Sequence, residues 1–106
     1  MEQSKLKAII GREVVAVDLS PQDAGLLFEG EITLNIYNRY AVLGIDGDYE
    51  KALVGAKVTG VDETKNSAIF DFDSNARIEV DLTDDAYTSP EAMQLRIPGE
   101  PILVWN

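Results

Sequence analysis

The chain has 106 residues, neither cysteine nor histidine, and a formal charge of −10 from 19 acidic and nine basic side chains. That inventory excludes disulfides, thiolate and imidazole metal sites, thiol nucleophiles, and a serine triad that relies on an imidazole base. The charge opposes nucleic-acid binding, which is driven by Lys and Arg displacing counterions, and it opposes docking on anionic membranes.

At 45% hydrophobic and 26% charged residues, the composition suits a single domain, 1–106, with a modest core. No apolar run approaches the roughly 18 to 20 residues of a membrane span. The opening MEQSKLKAIIGRE lacks the apolar stretch and small-residue cleavage site of a secretory signal, so a cytoplasmic location is expected.

In chain order, Ser4 is placed to cap a short helix through Ile10, with Gly11 as its stop. Arg12 to Leu19 is valine-rich and reads as a strand, and Pro21-Gln22-Asp23 supplies turn chemistry. Gly25 to Phe28 and Ile32 to Tyr37 form a hairpin around Glu29-Gly30-Glu31. Three- and five-residue loops both keep its apolar residues on one face. The shorter is preferred, and it pairs Phe28 with Ile32, Leu26 with Leu34, and Ala24 with Ile36.

Ala41 to Ile45 is a further short strand, and Asp46-Gly47-Asp48 a turn whose last residue caps a helix through Val54. Gly55 ends that helix as Gly11 ends the first. From there the sequence repeats itself. Residues 7–40 and 51–84 align without a gap at an offset of 44, sharing Gly11/Gly55, Val14/Val58, Val17/Val61, Ala24/Ala68 and Phe28/Phe72 among others. The second copy yields the same register: Phe72 meets Ala76, Phe70 meets Ile78, and Ala68 meets Val80. Asp71 then falls beside Arg77, and Asn75 takes a left-handed position that asparagine tolerates.

Asp81 to Pro90 is polar and turn-like, and 91–106 reads as a last hairpin with Pro98-Gly99-Glu100-Pro101 at its tip. Trp105 is expected to plug the core. The predicted fold is mainly β, with seven to nine antiparallel strands and one or two short helices. Two repeated strand–hairpin units make a sandwich or a barrel-like closure.

The sequence offers little chemistry. Gly44-Ile45-Asp46-Gly47 has the wrong spacing for a phosphate loop, and no dinucleotide fingerprint occurs. Asp46, Asp48 and Glu50 alternate too briefly for a calcium loop, and a turn with a helix cap accounts for them. Asp71 and Asp73 alternate with Phe70 and Phe72, which places them on an outer face, where a tuned catalytic acid does not form. No catalytic, metal or cofactor residues are assigned.

What remains is charge. Nine acidic residues against Lys65 and Arg77 lie between Asp62 and Glu91. Within that stretch Asp71, Asp73, Glu79, Asp81, Asp84 and Asp85, with Tyr87 as an aromatic anchor, are the candidate contacts for a basic protein partner.

The pattern Gly55-x-x-Val58-x-x-Val61, Phe70-x-Phe72, Glu91-Ala92, Pro98-Gly99 and Val104-Trp105 resembles a group of uncharacterised small bacterial β-rich proteins. Some of that group are similar to immunity proteins that neutralise toxins. Met93 stands where that pattern has tryptophan, and the resemblance carries over no functional residue. Small size, absent catalytic groups and the acidic second hairpin point to a non-enzymatic interaction protein, monomeric or homodimeric, with a toxin-neutralising immunity protein as its most concrete form. The other readings are a small-molecule-binding or carboxylate-based enzymatic domain, and a structural module that self-associates through sheet edges.

Overall fold

The computed structural model describes residues 5–20, 23–44, 47–87 and 90–105. The expected cap at Ser4, the turn residues Pro21 and Gln22, Ile45 and Asp46, Thr88 and Ser89, and Asn106 lie outside them.

A 3₁₀ helix, Lys5–Ile9, precedes strands β1 (Val14–Ser20), β2 (Asp23–Phe28), β3 (Ile32–Ile36) and β4 (Tyr40–Leu43). Helix α1 (Tyr49–Leu53) leads into β5 (Val58–Glu63), β6 (Ser67–Phe72) and β7 (Arg77–Asp81). A 3₁₀ turn, Asp84–Ala86, and the pair β8 (Met93–Arg96) and β9 (Leu103–Trp105) complete the described elements. They form two open antiparallel sheets, ordered β1-β2-β3-β8-β9 and β4-β7-β6-β5, and neither closes as a barrel among the described residues. No described helix is long and apolar enough to cross a membrane.

Both central hairpins take the register that a three-residue loop dictates. Phe28 pairs with Ile32, Leu26 with Leu34 and Ala24 with Ile36. Phe70 pairs with Ile78 and Ala68 with Val80, while the Phe72 N–H donates to the Ala76 carbonyl. Alternation sends all of these side chains inward, and each is buried. Full burial of Phe28 or Phe70 is worth about 1.5–3 kcal/mol each. The turns need a left-handed residue, supplied by Asn75 (φ 71°) in one and by Glu31 (φ 63°) after Gly30 in the other.

The β1–β2 pairs from Val14↔Phe28 to Leu19↔Ala24 and the β2–β3 pairs from Ala24↔Ile36 to Leu27↔Thr33 each have a counterpart in β5–β6–β7 at 44 residues' distance. Both ladders carry a bulge at the same place, between Val14 and Ala16 and between Val58 and Gly60. The two β1-type strands meet at an antiparallel bridge between Glu13 and Lys57. Around it the bonds come in matched couples. Gly11 N–H donates to Val58 O at 2.7 Å, and Gly55 N–H to Val14 O at 2.8 Å. Both glycines need their positive φ (86° and 90°) to turn the chain from helix into strand there.

The first helix is tighter than the sequence suggests. Lys5–Ile9 is 3₁₀ while α1 is a true α-turn, capped by the Asp48 carboxylate accepting from the Lys51 N–H at 3.3 Å.

The fourth strands cross over. β4 follows β3 in sequence but pairs with β7, and β8 follows β7 but pairs with β3. Asn38 sits at the first crossing with no exposure, and its amide donates to the Asp81 carbonyl at 2.8 Å. One core joins the inner faces of both sheets, with Leu6, Ile9 and Leu53 of the two helices closing it.

Candidate functional site

The acidic stretch does not form one patch. β7 displays Arg77, Glu79 and Asp81 outward at alternate positions, and two of these are neutralised locally. Arg77 donates to Asp71 at 2.7 Å, and this bond holds the guanidinium above its ordinary pKa. Arg39 donates to Asp81 at 2.8 Å.

Asp73 departs from expectation. β6 ends at Phe72, so Asp73 lies in the turn and not on the outer face. Its carboxylate accepts the Lys57 N–H at 3.0 Å while its own N–H reaches the Lys57 carbonyl. Glu29 does the same for Glu13 in the other ladder. Asp73 is therefore committed to holding the corner where the two sheets join.

The remaining candidates gather at the opposite end of the second sheet. An open recess of about 520 Å³ is lined by Arg39, Tyr40, Ala41, Asn66, Ser67, Glu79, Val80 and Asp81. A second, of about 310 Å³, is lined by Glu63, Thr64, Lys65, Leu82, Asp84, Tyr87 and Trp105. The Leu82 N–H to Asn66 carbonyl bond (2.9 Å) runs between residues of the two recesses. Asp85 lies exposed beside Asp84 on the 3₁₀ turn.

Local rules fix the walls. Asp81 bends the chain after β7 by accepting both the hydroxyl (2.6 Å) and the N–H (2.9 Å) of Thr83. The Thr83 hydroxyl, then the Arg39 guanidinium, then the Thr83 N–H pull its carboxyl down to about 2. Thr64 closes the β5–β6 turn by accepting the N–H groups of Asn66 and Ser67. Tyr40 packs its ring on the core and donates its hydroxyl to the Ser20 carbonyl at 3.0 Å. Burial first, and the charge of Asp18 second, raise its pKa.

Trp105 is a rim and not a plug. It is half-buried, its ring lies against the core, and its indole N–H donates to Glu63 Oε2 at 3.0 Å. This amphipathic placement, with an apolar body and a wet polar tip, is what indole favours.

Comparison with known proteins adds nothing to these observations. No family model, curated protein or solved structure matches this chain.

Of the seven candidate contacts, Glu79, Asp81, Asp84 and Tyr87 line the recesses, Asp85 adjoins them, Asp71 is paired away, and Asp73 is structural. Arg39, Glu63 and Trp105 join the site unforeseen by the sequence reading. Glu63 and Trp105 are 42 residues apart, and no local pattern connects them.

Asp81, whose carboxyl sits at about 2, is ionised at neutral pH and cannot donate a proton there. A glycosidase-type pair needs one carboxyl pushed the other way. The rings of Tyr87 and Trp105 line the same recess as Glu63, Asp84 and Lys65, so aromatic surface and charge stand side by side there.

Proposed function

We propose that this chain is a non-enzymatic interaction domain that binds a basic protein, with a toxin-neutralising immunity protein as its most concrete form. The observation that carries the reading is the end recess, where Tyr87 and Trp105 stand beside Glu63 and Asp84. A Lys or Arg side chain of a partner meets both carboxylate and ring face there. Aromatic anchors in partly desolvated pockets are where interfaces concentrate their energy. The net charge of −10 adds long-range steering toward a cationic surface. A cytoplasmic protein, monomeric or homodimeric until it meets its partner, fits this reading.

The matched registers of β1–β2–β3 and β5–β6–β7 support a duplicated strand–hairpin unit as the origin of the two ladders. On that view the recess is new to the second unit. Its Glu63 and Asp84 stand where the first unit has Leu19 and Tyr40.

Co-expression with the products of neighbouring genes, followed by pull-down and titration, tests the reading. A stable complex with a basic product is expected, and failure to bind any neighbour overturns the immunity form. Within such a complex, Asp84→Lys with Asp85→Lys is expected to slow association at least tenfold at low salt, with the effect shrinking as salt rises. An unchanged association rate removes the acidic turn from the interface.

A further inference from the structure

The two sheets differ by one strand. β8 lies on β3 with Met93 opposite Ile36 and Leu95 opposite Leu34. β4 lies on β7 with Tyr40 opposite Val80 and Val42 opposite Ile78. Ile36/Val80 and Leu34/Ile78 are corresponding positions, 44 apart, so β4 takes on β7 the place that β8 takes on β3. Beyond β8 the first sheet continues with β9, which sets Trp105 opposite Met93 and Leu103 opposite Leu95. Beyond β4 the second sheet stops among the described residues.

Burial records the difference. Met93 and Leu95 are fully buried, whereas Tyr40 and Val42 in the equivalent places are only half-buried. The backbone records it too. The Ala92 N–H donates to the Trp105 carbonyl, and the corresponding Arg39 N–H reaches only the Ala86 carbonyl of the 3₁₀ turn, at 3.4 Å. The turn thus covers the first residue of this edge and then leaves it.

The Asp81 N–H to Arg39 carbonyl bond sets the alternation along β4. Ala41 and Leu43 aim their main-chain groups at β7, and Tyr40 and Val42 aim theirs outward. Leu43, 42% exposed, ends the strand on the solvent side.

We propose that the outer edge of β4 is a docking slot for an extended segment of a basic partner protein, which adds as a fifth strand where β9 lies in the other sheet. β9 specifies the occupant's chemistry. Two apolar side chains spaced two apart, as in Leu103 and Trp105, cover Tyr40 and Val42, and main-chain bonds form to the outward groups. Cationic flanks complement Glu79 of the adjoining recess, whose Asp81 is already paired with Arg39, and the charge of −10, which also works against a second copy of this chain as the occupant. The cationic flanks rest on the function proposed above. The slot itself does not.

The test uses three synthetic peptides containing Ile-Leu-Val-Trp, flanked by lysines, by serines or by glutamates, titrated into the full chain. Amide shifts and hydrogen-exchange protection are followed by NMR. Binding of the lysine-flanked peptide with new protection at the Tyr40 and Val42 amides is expected, at least tenfold tighter than the glutamate-flanked one. Val42→Pro removes an outward N–H without touching the β4–β7 ladder and is expected to abolish binding. The wild-type protection pattern decides the matter even where that variant fails to fold. No shift at 40–43 with millimolar peptide, or shifts confined to β8 by displacement of β9, overturns the slot. Equal binding of lysine and glutamate flanks keeps the slot and overturns the basic partner.

Discussion

The β1–β2–β3 ladder and the β5–β6–β7 ladder share one hairpin register and differ most in character where solvent permits. Inward positions hold Leu26, Leu34 and Phe28 in one, and Phe70, Ile78 and Phe72 in the other, at equal register and with nearly equal burial. Outward, Gly25 beside Asn35 in the first becomes Ile69 beside Glu79 in the second. The crossing is the exception, where buried Asn38 holds the position that half-buried Leu82 holds in the second copy. The interior stays apolar along both hairpins while trading size, Leu26 for Phe70 and Ile32 for Ala76, whereas the solvated face is free to exchange charge.

Five substitutions break or sharpen that comparison. The largest effect is expected at Gly44, which ends β4 against the second hairpin's turn at φ +83°. A Cβ there lies 2.3 Å from the Asn75 carbonyl oxygen, so Gly44→Ala is expected to destabilise by about 3 kcal/mol or more in urea unfolding. A loss under 1 kcal/mol contradicts this close approach.

Asn38→Ala comes next, at about 1–3 kcal/mol, because the Asp81 carbonyl loses its buried donor. The buried Asn38 Oδ1 has no protein partner among the described residues.

Asp81 gives a pH signature. Its folded carboxyl sits at about 2 against an ordinary 3.8, so its stabilisation is complete above pH 4 and fades as pH falls through 2. Solvent screening of this rim position reduces the effect to about 1 kcal/mol. Asp81→Asn is expected to flatten the stability profile between pH 5 and 2; an unaltered slope shows that other carboxylates dominate.

The smallest change is a gain. Glu31 holds a left-handed φ of 63° where the second ladder uses Asn75 at 71°. Glu31→Asn is expected to add about 0.5–1 kcal/mol, and Asn75→Glu to remove a similar amount. Equal stability of both swaps with the parent denies that the turns are equivalent.

Much of this was legible in sequence because strand alternation is a local signal. The three-residue loops, the left-handed Asn75, the Asp71–Arg77 pair and the Asp48 cap all follow from spacing within a few residues. The strand exchange is not local. Tyr-Ala-Val-Leu fits the edge of either sheet, and only packing between distant segments assigns it to β7. The site was legible in part for the same reason. Glu79, Asp81, Asp84 and Tyr87 announce themselves as a charged run, whereas the approach of Trp105 to Glu63 depends on where the last strand lands. Asp73 misled because alternation was carried one residue past the end of β6, into the turn.

The crossover has a consequence for synthesis. β3 finds its second neighbour only when residues 93–96 have left the ribosome, since β8 is the strand that covers its far edge. Until then the first ladder holds a bare edge and an incomplete core, and half a nascent chain has no finished fold to adopt. Pairings of such long sequence separation make folding slow, on the order of milliseconds to seconds. The first ladder therefore waits for residues 93–96, and a stall before Met93 leaves an exposed strand edge open to other chains.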